Sequence, residues 1–295
     1  MSAILEAQGL TRRFGDVVAL DDVTFRLDEP GIHGLLGRNG AGKTTLMNLL
    51  TGQDLPTSGR ALLHGHDPAA GAHGFGRVAF IKESQAYPEG FKGRHVLRAA
   101  AAVYPRWDDA YAARLVHEFQ APLDRYMKKL SRGQRSAVGA IVALASRADV
   151  TLLDEPYAGL DAVARQMLYE RLIEDFGEHP RVIVMSTHLI DEAADLFERV
   201  LVLDKGALLI DEDADTLRGS AVRIVGPASV VEETANGYAV LHREALGGTA
   251  ALTLDSADEG LRRAAVDAGL ELAPVSLQQL IVRRTGVTVR EEIAS

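Results

Sequence analysis

The sequence predicts an α/β fold built on a largely parallel sheet, with a helical insertion in its middle and a small α+β domain at its end. Three observations predict it. Short apolar runs alternate with helical stretches over residues 32–50 and again over residues 150–203, the order that stacks helices on a parallel sheet. Between these blocks, residues 93–147 carry helical patterns interrupted by Pro105 and Pro122. Beyond residue 218 the pattern reads strand, helix, strand, strand, helix, strand, a ferredoxin-like order.

Taken in order, residues 3–28 read as antiparallel strands. Val23, Phe25 and Leu27 alternate with Thr24, Arg26 and Asp28, the period of a half-buried strand. A short buried strand over residues 32–36 runs into a glycine-rich loop, and residues 43–50 form a helix closed by Gly52. Strands follow at residues 60–64 and 78–81. The insertion supplies helices around residues 99–102, 110–119 and 136–145. Alternation resumes with a strand at 150–153, a helix from Asp161, a strand at 181–186, a helix from Leu189 and a strand at 200–203. The last part places strands at 221–225, 238–242, 250–254 and 270–274. Helices fit at 228–235 and 257–268, and a final one at 277–284 ends near Gly286. The division is expected after Arg218, giving a large domain over residues 1–218 and an accessory domain over 219–295.

Composition narrows the function. With 47% hydrophobic and 25% charged residues, the chain reads as a soluble globular protein. No apolar run approaches the roughly 18–20 residues of a membrane-crossing helix, and the first residues lack the regions of a signal peptide. The chain is therefore expected in the cytoplasm, with any membrane work done by another polypeptide. The absence of cysteine excludes disulfides and thiol chemistry. A net charge of −9 argues against a general nucleic-acid binder. One basic cluster, Arg125, Lys128, Lys129, Arg132 and Arg135, fits a solvated helix face as well as a binding patch. His64-Gly65-His66 reads as a surface loop, having too few companions for a metal site.

Chemistry enters with Gly37-Arg38-Asn39-Gly40-Ala41-Gly42-Lys43-Thr44, followed by Thr45. It fits G-x-x-x-x-G-K-[ST] in the required context, strand before and helix after. Glycines let backbone N–H groups turn inward on phosphate oxygens, and the helix presents its positive end to the same charge. Lys43 reaches the outer phosphates in such a loop, and the Thr44 hydroxyl ligates Mg²⁺. The apolar strand Val150-Thr151-Leu152-Leu153 ends in Asp154-Glu155. Many strands end in surface acids; beside a phosphate loop, the pair reads as Asp154 holding Mg²⁺ and Glu155 orienting the attacking water.

Three further motifs complete a set. Leu130-Ser131-Arg132-Gly133-Gln134 resembles the LSGGQ signature of ABC ATPases, Ala158-Gly159-Leu160-Asp161 their D-loop, and Ser186-Thr187-His188 their switch-histidine motif. All occur in that family's order, and the resemblance covers about residues 3–218. The chain resembles the ATP-binding subunit of an ABC transporter, a P-loop NTPase fold with an ABC-type antiparallel β subdomain and the helical insertion. That resemblance implies ATP hydrolysis with ATP and Mg²⁺. It places Phe14 on the adenine, a packed core aromatic being the other reading. It sets Ser131, Gly133, Gln134 and Asp161 against nucleotide held by a second ATPase subunit, identical or different, and puts His188 on the γ-phosphate. Two positions depart from the family. Arg132 replaces the first glycine of the signature, and Glu83 stands where a glutamine is usual, with Gln85 two residues on and favoured as the Q-loop contact to Mg²⁺. The family also implies a separate transmembrane permease, no nucleic acid, and a place on the inner face of the membrane. The ending, residues 275–286, resembles cassettes of bacterial two-component export systems. The alternative is a soluble ABC ATPase acting on the ribosome or nucleic acid. A single P-loop, and too little chain between Lys43 and Ser131 for a long coiled coil, oppose it.

Overall fold

The computed structural model describes residues 3–70, 76–256 and 258–285. Ala257 and Gly286, used above as helix ends, lie outside the described residues. The chain divides into two compact units, Met1–His188 with Leu196–Asp211, and Leu189–Asp195 with Glu212–Ser295.

In the first unit, β1 (Leu5–Phe14), β2 (Val17–Leu27) and β4 (Ser58–Leu63) form an antiparallel sheet in the order β2-β1-β4. Val23, Phe25 and Leu27 of β2 point into the core, as their alternation predicts. The second sheet joins β3 (Gly31–Leu36), β5 (Val78–Ile81), β6 (Val150–Asp154), β7 (Val182–Thr187), β8 (Arg199–Asp204) and β9 (Ala207–Asp213) in the order β5-β6-β7-β3-β8-β9. Every pairing from β5 to β8 is parallel. Strand β9 escaped the sequence reading. It is tied to β8 by the two-residue turn Lys205-Gly206, whose φ angles of 47° and 85° suit a tight hairpin.

Helix α1 (Lys43–Leu50) packs between the sheets. Its Leu46, Met47 and Leu50 share one core with Leu5, Leu10 and Leu20 of the first sheet and Leu35, Val184 and Leu201 of the second. The loop before α1 therefore leaves the carboxyl end of β3, the end where open α/β sheets bind ligands. The carboxyl ends of β6 and β7 lie alongside, with Asp154 opposite Ser186 and Leu36 opposite Thr187.

The insertion consists of α2 (Gly93–Val103), α3 (Asp109–Glu118) and α4 (Arg132–Ala145), separated around Pro105 and Pro122 as expected. Helix α4 starts four residues before the predicted 136. Ser131 is its N-cap: the Ser131 hydroxyl accepts from Gln134 N at 3.1 Å, and the Gln134 side chain accepts from Ser131 N at 3.1 Å. This is a capping box, so the signature motif doubles as a helix start. Helix α5 (Ala162–Glu178) follows β6.

The second unit takes α6 (Ile190–Ala193) together with α7 (Ala214–Gly219), β10 (Val222–Pro227), α8 (Ala228–Thr234), β11 (Val240–Leu246), β12 (Thr249–Leu254), α9 (Glu259–Asp267), β13 (Glu271–Ala273) and α10 (Leu277–Thr285). Its sheet runs β11-β12-β10-β13, antiparallel throughout, with Ile224, Val231, Leu252 and Leu261 in the core. The first and last strands are neighbours, the ferredoxin-like arrangement. The unit begins at Glu212, a few residues before the expected boundary at Arg218. It also claims residues 189–195, because Asp191 accepts from Ser276 Oγ and Gln278 N, each at 3.2 Å.

Candidate functional site

Backbone packing fixes the loop of residues 37–42. Gly37 has φ 146°, and a Cβ there would lie 2.3 Å from the Leu203 carbonyl; Gly42 has φ 109°, and a Cβ would lie 2.7 Å from the Ala19 carbonyl. No side chain fits at either point. Arg38, Asn39 and Gly40 are exposed at the tip, while Ala41 is buried and its carbonyl accepts from Gly206 N at 3.0 Å. The buried Lys43 curls over the loop, its Nζ donating to Gly37 O at 2.8 Å and Arg38 O at 3.2 Å. Burial pushes its pKa down, opposed by the charges of Glu155 and Asp154. Thr45, half-buried, follows Thr44 on α1.

The two acids are held differently. Asp154 is buried, and both its oxygens are engaged: Oδ2 accepts from Thr44 Oγ1 at 2.7 Å and Oδ1 from Ser186 Oγ at 2.6 Å. Ser186 Oγ also accepts from Glu155 N at 3.0 Å. Glu155 leaves the strand with φ 50°, a left-handed value uncommon outside glycine. Its Oε2 accepts from the Tyr157 hydroxyl and lies 2.6 Å from His188 Nδ1. Its Oε1 is buried with no hydrogen-bond partner among the described residues. Tyr157 OH accepts in turn from Thr187 Oγ1 at 2.9 Å and His188 N at 3.1 Å. Burial, and then the Glu155 charge, push the Tyr157 pKa up, so the phenol stays protonated and donates to the carboxylate.

Tyr157 and Ser186 are the functional neighbours that the sequence reading did not single out for the acids. Both sit beside motif residues, so their positions were visible even though their bonds were not. The hard oxygens of Thr44 and Asp154, 2.7 Å apart, suit Mg²⁺, which takes one or two protein oxygens and completes its shell with water and phosphate. Among the described residues no group of three His, Cys, Asp or Glu could hold a metal by itself.

A second group gathers around the signature. A Cβ on Gly133 would lie 2.1 Å from the Gly159 carbonyl, so the two segments touch backbone to backbone. Ser136 Oγ donates to Ala158 O at 2.6 Å, and Asp161 caps α5 by accepting from Ala164 N at 2.8 Å. Ser131, Gly133, Gln134 and Asp161 thus share one neighbourhood. Gln85 behaves otherwise: its amide donates to Ala86 O of its own loop at 3.5 Å, and its backbone N to Lys82 O at 3.2 Å. Neither bond reaches Thr44 or Asp154. Phe14 is half exposed at the β1–β2 turn, with the Arg12 guanidinium 4.4 Å from its ring centre, which rules out the core reading.

The ABC transporter family profile matches residues 20–158. A phosphonates import ATP-binding protein of Natronomonas pharaonis is 35% identical over 222 residues, 72% of this chain and 95% of that protein. The chain belongs to the ATP-binding family of ABC transporters. An aliphatic sulfonates import ATP-binding protein of Nocardia farcinica is 31% identical over 69% of this chain and 79% of its own length. The solved structure of an ATP-binding subunit of an ABC transporter superposes with a TM-score of 0.65 at 28% identity, covering 73% of this chain and 92% of that one. This ABC protein is an ATPase with the family's P-loop NTPase fold. Among its described residues no helix is long and apolar enough to cross a membrane.

Proposed function

We propose that this ABC ATPase is the motor of a transporter, hydrolysing Mg-ATP clasped between two copies arranged head to tail. The observation that carries this reading is Glu155. One of its oxygens is tied to Tyr157 and His188, while the other is buried and unpartnered, which suits a group that accepts a proton from an attacking water. Lys43 and the backbone of residues 37–42 hold the phosphates; Thr44 and Asp154 hold Mg²⁺, with Gln85 reaching it after its loop moves. The metal, when bound, neutralises charge on the transferred phosphoryl group. Phe14 stacks on adenine, and His188 contacts the γ-phosphate. The single Lys43 loop and single Ser131 segment of each chain belong to separate groups of contacts, which supports Ser131, Gly133, Gln134 and Asp161 serving nucleotide on a second copy.

On this reading a transmembrane permease completes the transporter on the inner face of the membrane. The closing segment supports export. Relatives named as importers favour import as a second reading, and flux measured in oriented vesicles with the permease separates the two. The matches give no support to a role on ribosomes or nucleic acid. Sedimentation of the Glu155→Gln protein tests the head-to-tail site: Mg-ATP should produce dimers, and Lys43→Ala should abolish them. A Glu155→Gln protein that stays monomeric with Mg-ATP, even with permease supplied, overturns it.

A further inference from the structure

The two residues at which this chain departs from its family's motifs meet in the fold. The guanidinium of Arg132, in the signature, is hydrogen-bonded and ion-paired to the carboxylate of Glu83, in the loop after β5. Three placements make the contact informative. Glu83 lies two residues past Ile81 and Glu155 two residues past Leu153, and Ile81 and Leu153 are register partners in β5 and β6. The loop bearing Glu83 therefore leaves the same sheet edge as the acids, one strand over. The stem of Arg132 packs on the D-loop: a Cβ on Gly159 would lie 2.9 Å from Arg132 Cβ and 3.0 Å from its Cγ. Arg132 also occupies the first helical position of α4, next to the N-cap Ser131, with no acidic residue in that turn. A cation there opposes the helix macrodipole and needs an anion nearby. Glu83 supplies one.

We propose that Arg132 is a phosphate-contacting residue of the signature, held by Glu83 until nucleotide on the partner copy displaces that carboxylate. The inference rests on the head-to-tail reading above and deepens it. Ser131 and Arg132 are adjacent at the positive end of α4, so a phosphate that reaches the Ser131 hydroxyl arrives beside the guanidinium. Arg132 and Glu83 side chains are 58% and 40% exposed, and an exposed pair of this kind is worth no more than about five-fold in an equilibrium. A multiply charged phosphate outcompetes such a carboxylate. Its arrival then frees the loop after β5, so that occupancy of one copy's P-loop is felt at the other copy's Q-loop. The Arg132 stem against Gly159 carries the same displacement to the D-loop.

Charge variants in the full chain, with permease, separate this from a merely structural pair. Glu83→Gln removes the charge that holds Arg132, and the ATP concentration for half-maximal dimerisation and hydrolysis should fall about two- to five-fold. Arg132→Gly removes the cation and should raise both by at least as much. The exchange Arg132→Glu with Glu83→Arg restores a pair but puts an anion beside Ser131, and should raise both further. Native ATP dependence in the exchanged protein, or a Glu83→Gln protein with unchanged or weakened ATP dependence, overturns the proposal. If the native chain shows neither ATP hydrolysis nor ATP-dependent dimers, the underlying motor reading has failed instead.

Discussion

Replacing Glu155 by glutamine tests the core of the site with almost no change in shape. The amide keeps an oxygen for the Tyr157 hydroxyl and lies beside His188 Nδ1, and the Glu155 N to Ser186 Oγ bond at 3.0 Å belongs to the backbone. What disappears is the basicity of Oε1, which of the two Glu155 oxygens is the one with no hydrogen-bond partner among the described residues. Removal of a general base lowers turnover by a factor of about 10² to 10⁴, or roughly 3–5 kcal/mol of barrier at about 1.36 kcal/mol per decade. Nucleotide affinity should hold, because the substitution leaves Lys43, Thr44 and the backbone of residues 37–42 in place. The assay is phosphate release at saturating Mg-ATP, with affinity measured separately by equilibrium titration of a fluorescent nucleotide. A variant that turns over within ten-fold of the native rate refutes the assignment. So does one whose loss is entirely in affinity.

Three other perturbations follow from the same contacts. Tyr157→Phe removes the hydroxyl that bonds Glu155, Thr187 and His188 N, so it should cost about 1–3 kcal/mol of stability in urea unfolding and slow phosphate release; unchanged stability would show that those bonds carry nothing. Asp175 is buried between Arg181, 2.6 Å away, and Arg147, 3.2 Å away; Asp175→Ala leaves Arg147 its pairing with Asp108 but leaves the buried Arg181 the neutral acceptors Thr151 Oγ1 and His179 O, so unfolding stability should fall by about 3–5 kcal/mol, a loss under 1 kcal/mol being inconsistent with the network. His33 is buried, and burial, aided by the Arg199 charge, pushes its pKa down to about 4. Because the folded value lies below the unfolded value of about 6.5, the unfolded chain binds the extra proton between them. Stability from this residue is then complete above pH 6.5 and falls by up to about 3 kcal/mol as pH drops to 4. An NMR titration in which His33 protonates near pH 6.5 would exclude it.

Motifs whose chemistry depends on backbone order were legible in the sequence. The P-loop, the acidic strand and the histidine all follow apolar strands, and in the fold those strands, β3, β6 and β7, are neighbours in one sheet. Side-chain periodicity likewise located β2, and the spacing between apolar strands located the two helices of the ferredoxin-like unit. Besides strand β9, three features were not legible, each for a physical reason. Helix α4 was begun late because Ser131, Arg132 and Gly133 offer no apolar face; the Ser-x-x-Gln capping box that starts it was present but read only as a signature. Strand β11 runs over residues 240–246 where 238–242 was expected, because its side chains are largely exposed and set no alternation. The Gln85 contact was assigned on chemistry alone, whereas the local turn at residues 82–86 decides where that amide points.

The same contacts predict that a divalent cation strengthens nucleotide binding at this site. Several groups at the sheet edge already have a neighbour: Lys43 two carbonyls, Thr44 the Asp154 carboxylate, and one of the two Glu155 oxygens Tyr157 and His188. A bare polyphosphate could take Lys43 from its carbonyls, but it would then face the buried carboxylates of Asp154 and Glu155. Like charges about 4 Å apart repel by roughly 4 kcal/mol at an effective dielectric near 20, which offsets an attraction of similar size to the Lys43 ammonium. A divalent cation, which Asp154 and the Thr44 hydroxyl would hold, would offset that repulsion. Nucleotide should therefore bind more weakly once a chelator removes divalent cations, and equal affinity with and without Mg²⁺ in an equilibrium titration would refute this reasoning.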